Sequence, residues 1–222
     1  MFDRIAPRYD RLNRVLSFGA DVAWRRRAIS HVWLGPGERA LDVGVGTGDF
    51  ALGILRASAA GTRVVGVDIS PAMLAIAAQR AAALDLTARF HGVLASVEAL
   101  PFGDETFHRV AAGFAIRNVA RIDLALREIR RVLRPGGRVA ILDLHTPPGA
   151  IPRGLYRLYA RAFPRLAGAL GSDPDAYRYL PGSIETFADP DQLSALLKDA
   201  GFRDARYERL TFGVAAIHVG EA

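Results

Sequence analysis

The sequence predicts an α/β protein built on a seven-stranded, mostly parallel sheet whose final strand is antiparallel. Three observations lead there. Beyond Leu34, short apolar runs alternate with longer stretches of helical periodicity, the rhythm that builds a parallel sheet. One run, Leu41-Asp42-Val43, empties into Gly44-Val45-Gly46-Thr47-Gly48, a glycine-rich turn that opens a helix. Another, Val64-Val65-Gly66-Val67-Asp68, follows about twenty residues later and ends on a carboxylate.

Residues up to about Leu34 read as a helical cap, 1–34. Strands follow at Arg39–Val43, Arg63–Asp68, Ala88–Val93, Phe107–Phe114 and Arg138–Leu144, each bounded by turn residues. Helices fall between them at Gly48–Ala59, Pro71–Leu84 and Ile122–Leu133. Ser70 supplies an N-cap oxygen for the second, and Pro71 suits its first turn. Arg134-Pro135-Gly136-Gly137 stops the third helix and turns the chain into the next strand. From His145 to Asp189 the alternation breaks into Pro-rich turns around one helical stretch, which reads as a lid-like insertion, 145–189, over the mouth of the sheet. A helix at Pro190–Ala200, ended by Gly201, and strands near Ala205–Thr211 and Val214–Val219, joined through Gly213 as a hairpin, follow. No internal repeat or linker interrupts the 222 residues, so a single domain, 1–222, is expected.

Half the residues are apolar and there is no cysteine. That excludes disulfides, cysteine-zinc clusters and a cysteine nucleophile, and fits a reducing compartment. No apolar run reaches the roughly eighteen to twenty residues of a membrane span, and Met1-Phe2-Asp3-Arg4 lacks the apolar core of a signal peptide, so a soluble, cytoplasmic protein is expected. The net charge of +6, carried mostly by arginine, suits an anionic surface such as the inner face of a membrane. No nucleic-acid module is visible, and Arg25-Arg26-Arg27 after Trp24 reads as the solvated edge of a helix.

Gly44, Gly46 and Gly48 remove side chains that would keep a ligand off the backbone, while the helix behind them presents free N–H groups and the positive end of its dipole. Asp68 can accept from a ribose diol. Together they announce an adenosine-containing cofactor. The dinucleotide fingerprint is G-x-G-x-x-G, wrapped on a pyrophosphate. Here the spacing is G-x-G-x-G with Asp49 directly behind, an acid that would repel a diphosphate and attract the ammonium of an amino acid. S-adenosylmethionine, an adenosine with a methionine tail and no phosphate, is the cofactor expected. A dinucleotide and a glycine turn without ligand are the alternatives.

Further motifs resemble one family almost end to end. They are Met1-Phe2-Asp3-Arg4-Ile5-Ala6-Pro7-Arg8-Tyr9-Asp10-Arg11-Leu12-Asn13, then Trp24-Arg25-Arg26, Glu98-Ala99-Leu100-Pro101-Phe102, Phe114-Ala115-Ile116-Arg117-Asn118-Val119, Arg134-Pro135-Gly136-Gly137, Ala176-Tyr177-Arg178-Tyr179-Leu180-Pro181 and Ser183-Ile184. The chain resembles the quinone-ring C-methyltransferases of menaquinone and ubiquinone biosynthesis, often called the UbiE family. The glycine loop and the Pro-Gly-Gly turn are common to class I S-adenosylmethionine-dependent methyltransferases, whose Rossmann-like fold is thereby implied. The other stretches select the family. Ser96 and Val97 depart from its usual acidic residue or asparagine followed by alanine, which implies that adenine recognition leans on backbone groups. Asp143-Leu144-His145-Thr146-Pro147 and Gly182 also depart from it, at the expected substrate pocket.

The resemblance implies transfer of a methyl group from S-adenosylmethionine to a ring carbon of a reduced polyprenyl quinone, demethylmenaquinol becoming menaquinol. A hydroquinone carbon becomes nucleophilic when its hydroxyl ionises, so a base or a positive charge beside that hydroxyl is required. Arg117, following the fourth strand at the carboxyl edge of the sheet, is the first choice to stabilise the phenolate, with Asn118 holding its oxygen; the resemblance points to the same pair. A surface ion pair for Arg117 and a helix N-cap for Asn118 are the competing reading. Tyr9 and Tyr177 are candidates to close the pocket, and His145 is an alternative base. Gly44, Gly46 and Gly48 would face the methionine part, Asp68 the ribose and Ile69 the adenine. Family matching adds Thr47, Ser96, Val97 and Gly113 at the cofactor. His31, His91, His108 and His218 form no ligand cluster, so no metal is expected.

In the insertion, Arg153, Arg157, Arg161 and Arg165 recur every four residues among Leu155, Leu158, Tyr159, Ala162 and Leu166, with Pro164 set to kink the helix. A basic amphipathic segment, 153–166, would dock peripherally on anionic lipid, where a prenyl quinol resides. A lid packed on its own domain is the alternative, and a homodimer is left open. Competing functions are methylation of another acceptor, whether a ubiquinone-pathway benzoquinol or the oxygen or nitrogen of a different small molecule, and a cofactor-binding scaffold without catalysis.

Overall fold

The structure is a computed structural model and describes residues 14, 15, 17–154, 156, 158 and 182–222. Strands β1 (Arg39–Val43), β2 (Arg63–Asp68), β3 (Phe90–Leu94), β4 (Phe107–Gly113) and β5 (Leu133–Leu144) are parallel, and β7 (Ala215–Glu221) runs antiparallel between β5 and β6 (Arg203–Leu210). The sheet order is β3-β2-β1-β4-β5-β7-β6. Val43 pairs with both Val67 and Ala112. The carboxyl ends of β1, β2 and β4 are therefore level, and this edge carries the site.

Both faces of the sheet are covered, which is why its strands read as nearly unbroken apolar runs. Successive side chains alternate between faces: Ala40 joins the core beneath α1 (Ala20–Ile29), α2 (Asp49–Ala57) and α3 (Pro71–Ala83), while Leu41 and Val43 join the opposite core under α4 (Ile122–Val132) and α5 (Pro190–Asp199). On α4, Ala125, Leu126, Ile129 and Val132 recur on one face and are buried. Burial of Leu126 or Ile129 contributes about 1.5–3 kcal/mol each. Ser70 caps α3 by accepting from Met73 N at 3.2 Å, and Asp189 with Gln192 forms a capping box on α5.

Several boundaries differ from expectation, most by one or two residues, and two of the differences have a clear local cause. The third strand starts at Phe90, not Ala88, because Asp85 ends α3 in the left-handed region (φ 56°) and the Leu86 and Phe90 amides close turns onto Ala81 O and Leu86 O. The Arg134–Gly137 turn also does not precede β5 but lies within it. Leu133 already pairs with Phe107, pairing resumes at Arg138 with Arg109, and the residues between form a bulge. Glycine is needed there, since a Cβ on Gly137 would stand 2.7 Å from Arg134 O and 3.1 Å from His108 O.

Candidate active site

A cavity of about 330 Å³ opens where β1, β2 and β4 end. The loop after β1 forms its floor. A Cβ on Gly44 would collide with that of Ala115, so the loop can lie against the turn after β4 only with glycine there. At Gly46 (φ 52°) the space a Cβ would take is open. Its N–H donates to Asp68 Oδ2 at 2.8 Å, and Asp68 Oδ1 accepts from Ser70 N at 2.9 Å. These bonds fix a half-buried carboxylate at the strand end, suited to a ribose diol. Gly44, Gly46, Thr47, Asp68, Ile69, Ser96, Val97 and Gly113 all border the cavity. Gly48 stands behind it instead, as the left-handed N-cap residue of α2 (φ 91°), where a Cβ would press on Ala77 and Leu52. Gly113 is small for packing as well, because a Cβ there would enter the ring of Phe50. Ile69 is 68% exposed beside the cavity, an apolar surface for a flat base. Ser96 Oγ accepts from Glu98 N at 3.2 Å, which turns the loop after β3 along the wall.

Asp42 was not singled out in the sequence. It is a fully buried carboxyl on β1 whose Oδ2 accepts from Ala51 N, in the first turn of α2, at 2.9 Å. Burial pushes its pKa up to about 8, only partly offset by that hydrogen bond and by Arg25. An acid inside the apolar stretch Ala40–Val43, two residues before the glycine loop, was the available signal.

One expectation about charge gains detail and one is corrected. Asp49 does not confront a ligand as an unopposed acid: Arg80 Nη2 lies 2.6 Å from its Oδ1, and Arg25 Nε 3.7 Å from its Oδ2. Burial pushes its pKa up, but Arg25 and Arg80 outweigh burial and hold it below the ordinary value. The basic run of α1 is not a uniform solvated edge either. Trp24 Nε1 donates to Thr211 Oγ1 at 2.9 Å and Arg27 pairs with Glu208 at 3.1 Å, which seats α1 against the end of β6. That seating turns Arg25 into the cavity wall, its guanidinium 4.9 Å from the ring centre of Phe114 and 5.8 Å from that of Phe50.

The proposed catalytic residues separate. Ile116, Asn118 and Val119 border the cavity and Arg117 does not. The Arg117 side chain is 3% exposed, with Nη1 2.6 Å from Asp143 Oδ1 and 2.9 Å from Phe114 O. Its backbone N–H donates to Asp143 Oδ2 at 3.1 Å. The expectation of a cation presented to the ring hydroxyl is therefore corrected. Arg117 is one half of a buried ion pair that fixes the 3₁₀ turn Ile116–Asn118, and with it Asn118. Phe114 just before is in the left-handed region (φ 60°), held there by its N–H to Leu142 O (2.7 Å) and by Arg117 and Asn118 on its carbonyl. His145 as a base is corrected too. It is buried away from the cavity between Phe187 and His218 (5.2 and 5.3 Å between ring centres), Nδ1 is 3.2 Å from Ala188 O, and burial lowers its pKa. Tyr9 and Tyr177 lie outside the described residues, as does most of 153–166.

The arrangement fits S-adenosylmethionine. Open space over Gly46, a fixed acceptor at Asp68, an apolar face at Ile69 and a cavity of ligand size coincide with the cation of Arg25. A sequence profile described as the ubiE/COQ5 methyltransferase family matches residues 1–222. A Thermus thermophilus protein named demethylmenaquinone methyltransferase is 50% identical over 222 residues, covering 100% of this chain and 99% of that one. A Deinococcus radiodurans protein of the same name is 41% identical, over 100% of this chain and 90% of that one. A Geotalea daltonii protein named ubiquinone/menaquinone biosynthesis C-methyltransferase UbiE is 41% identical, over 100% and 94%. Among solved structures, the [4+2]-cyclase SpnF superposes with a TM-score of 0.74 at 21% identity, covering 100% of this chain and 93% of that one. A Haemonchus contortus phosphoethanolamine N-methyltransferase 2 bound to S-adenosyl-L-methionine gives 0.64 at 24%, covering 86% and 38%. These likenesses show the fold, a class I Rossmann-like methyltransferase architecture. The chain belongs to the ubiE/COQ5 methyltransferase family, and with it to the enzymes that take their methyl group from S-adenosylmethionine.

Proposed function

We propose that the chain methylates a ring carbon of a reduced polyprenyl naphthoquinone, demethylmenaquinol, in the sense that the names of its Thermus and Deinococcus relatives express. The observation that carries the reading is the wall after β4. Phe114, Ala115, Ile116, Val119 and Ala120 offer an apolar slot at the cavity, and Asn118 is the one polar side chain along it. A flat ring with one oxygen to hold matches that wall.

S-adenosylmethionine supplies an electrophilic methyl group on a sulfonium, a good leaving group, so alignment is the main demand on the protein. In this reading the Gly44–Gly48 loop and Thr47 hold the methionine end, Asp68 the ribose, and Ile69, Ser96 and Val97 flank the adenine. Asn118 hydrogen-bonds the ring oxygen whose ionisation makes the neighbouring carbon nucleophilic, and water takes the proton. The Arg117–Asp143 pair positions Asn118, while Phe114 and Ile116 exclude solvent from the reacting carbon. We propose further that Tyr9 and Tyr177 would close the pocket, with the insertion after β5 as the lid.

The test is purified protein with S-adenosylmethionine and short-chain quinols, read by mass spectrometry. A gain of one methyl on the demethylnaphthoquinol ring carbon, in preference to a benzoquinol, is expected. No methylation of either ring refutes the reading, and preference for the benzoquinol moves it to that acceptor.

No helix among the described residues is long and apolar enough to cross a membrane. We place the protein at an anionic bilayer through 153–166, since a polyprenyl tail stays in lipid. Ile151, Leu158 and Arg153 are exposed where this segment begins, and Phe212, 86% exposed, follows the end of β6 on the same edge of the sheet. Co-sedimentation with anionic vesicles that is lost when Arg153, Arg157, Arg161 and Arg165 become Glu supports this; equal, negligible binding of both proteins removes it.

A further inference from the structure

Arg25 has a fixed position and, among the described residues, no hydrogen-bond acceptor. Its guanidinium carries five donors in a planar fork, yet no described residue accepts a hydrogen bond from it, and its buried Nε has no partner. The side chain is 13% exposed, so water reaches only part of the fork, and not its Nε. The nearest carboxylate oxygens, Asp21 Oδ2 at 3.8 Å and Asp49 Oδ2 at 3.7 Å, balance its charge but lie beyond hydrogen-bond distance. Phe114 and Phe50 hold the cation where it is. The structure thus keeps an arginine fork in the cavity wall whose donors no described residue uses.

Asp49 is asymmetric in a complementary way. Arg80 takes its Oδ1 at 2.6 Å and also reaches Thr47 O at 2.9 Å, which ties α3 to the glycine loop. Among the described residues, Oδ2 has no hydrogen bond and meets the loose approach of Arg25. A cation and an anion, 3.7 Å apart and not bonded to each other, border the same cavity next to Gly46 and Thr47. Neither a lone cation nor a phosphate suits such a pair, since each meets one like charge. A zwitterion suits both halves.

We infer that Arg25 binds the α-carboxylate of the cofactor's amino-acid end while Asp49 takes the adjoining ammonium, so that an entering zwitterion replaces one loose ion contact with two charge-assisted hydrogen bonds. The assignment concerns the methyl donor and stands whichever ring accepts the methyl.

Calorimetric titration of the full-length protein tests it without turnover. Three ligands are compared: S-adenosylhomocysteine, its decarboxylated analogue, and 5′-methylthioadenosine, which lacks the amino-acid end. Arg25→Ala should weaken S-adenosylhomocysteine about 10- to 100-fold, the range of a hydrogen bond to a charged group, and change the other two by less than about threefold. Arg25→Lys should fall between, because it keeps the charge and loses the fork. An equal loss for all three ligands makes Arg25 a purely structural residue and overturns the assignment; so does unchanged S-adenosylhomocysteine affinity. If Arg25→Ala does not fold, Arg25→Lys and Arg25→Gln carry the same comparison, read as the ratio of S-adenosylhomocysteine to decarboxylated-analogue affinity. A ratio equal to that of the wild type overturns it.

Discussion

Replacing Arg117 by Met separates a structural cation from a catalytic one. In the folded protein Asp143 is wholly buried, with Arg117 Nη1 2.6 Å from one of its oxygens. Without the guanidinium, Asp143 keeps, among the described residues, the Arg117 and Leu144 amides alone, and its charge is left in a low-dielectric interior. Removing one partner of a buried pair costs about 3–5 kcal/mol. For a chain of this size each kcal/mol lowers the melting midpoint by about 2–4 °C, so a fall of roughly 6–20 °C is expected by calorimetry or circular dichroism. Adding Asp143→Leu should restore most of it, because the orphaned charge is then gone, and a double-mutant cycle isolates the coupling. Turnover falls in both variants as the turn carrying Asn118 loosens. A single variant that melts within about 2 °C of the wild type yet loses more than a hundredfold in kcat would refute this reasoning and return Arg117 to the reacting ring.

Gly46→Val places a side chain in the open space of the cavity at a positive φ; it should cost about 1–2 kcal/mol of stability and weaken S-adenosylhomocysteine by at least about tenfold, which calorimetry measures. The carboxyl of Asp42, raised to about 8, contributes stability that is complete below the ordinary aspartate value and lost as pH rises through about 8; Asp42→Asn should flatten the decline in melting midpoint over that window, and an unchanged slope would count against a buried proton there. His218 is pushed down to about 3, first by burial and then by His145, so its contribution is present above the ordinary histidine value and lost as pH falls toward 3; His218→Phe should soften acid unfolding, followed by circular dichroism. His145→Gln should leave the pH–rate profile with the same shape, since that ring lies away from the cavity, whereas loss of a limb near neutrality would restore it as the base.

Local signals made much of the fold readable. β1 and β2 fall at their expected limits because their apolar runs are closed by turns, and α3 begins where Ser70 and Pro71 say it should. The cofactor loop was equally readable, since left-handed turns demand glycine in the sequence itself. What could not be read depends on which way a helix faces or on a distant partner. Arg25 and Arg27 are about 200° apart around α1, so one enters the cavity and the other meets Glu208, although as letters they belong to one basic run. Arg117 looked available because Asp143 stands on another strand, and Asp42 passed as an ordinary strand residue because nothing nearby in sequence reports the helix amide it caps. The Arg134–Gly137 bulge was placed before β5 because composition marks a turn without saying that pairing resumes on both sides of it.

The position of β7 has a consequence for how the molecule assembles. β5 and β6 are not neighbours; β7 separates them and bonds to both, from Arg138 opposite Glu221 to Leu210 opposite Ala215. As the chain is synthesised, β5 carries an unpaired edge throughout 145–214, with β6 already made and unable to pair with it through the final register. Such an edge invites mispairing with other chains. The long-range pairing that closes the sheet is also the entropically slow step. Deleting 215–221 would therefore strip the sheet of an interior strand and leave β6 with no partner, a far larger loss than trimming an edge.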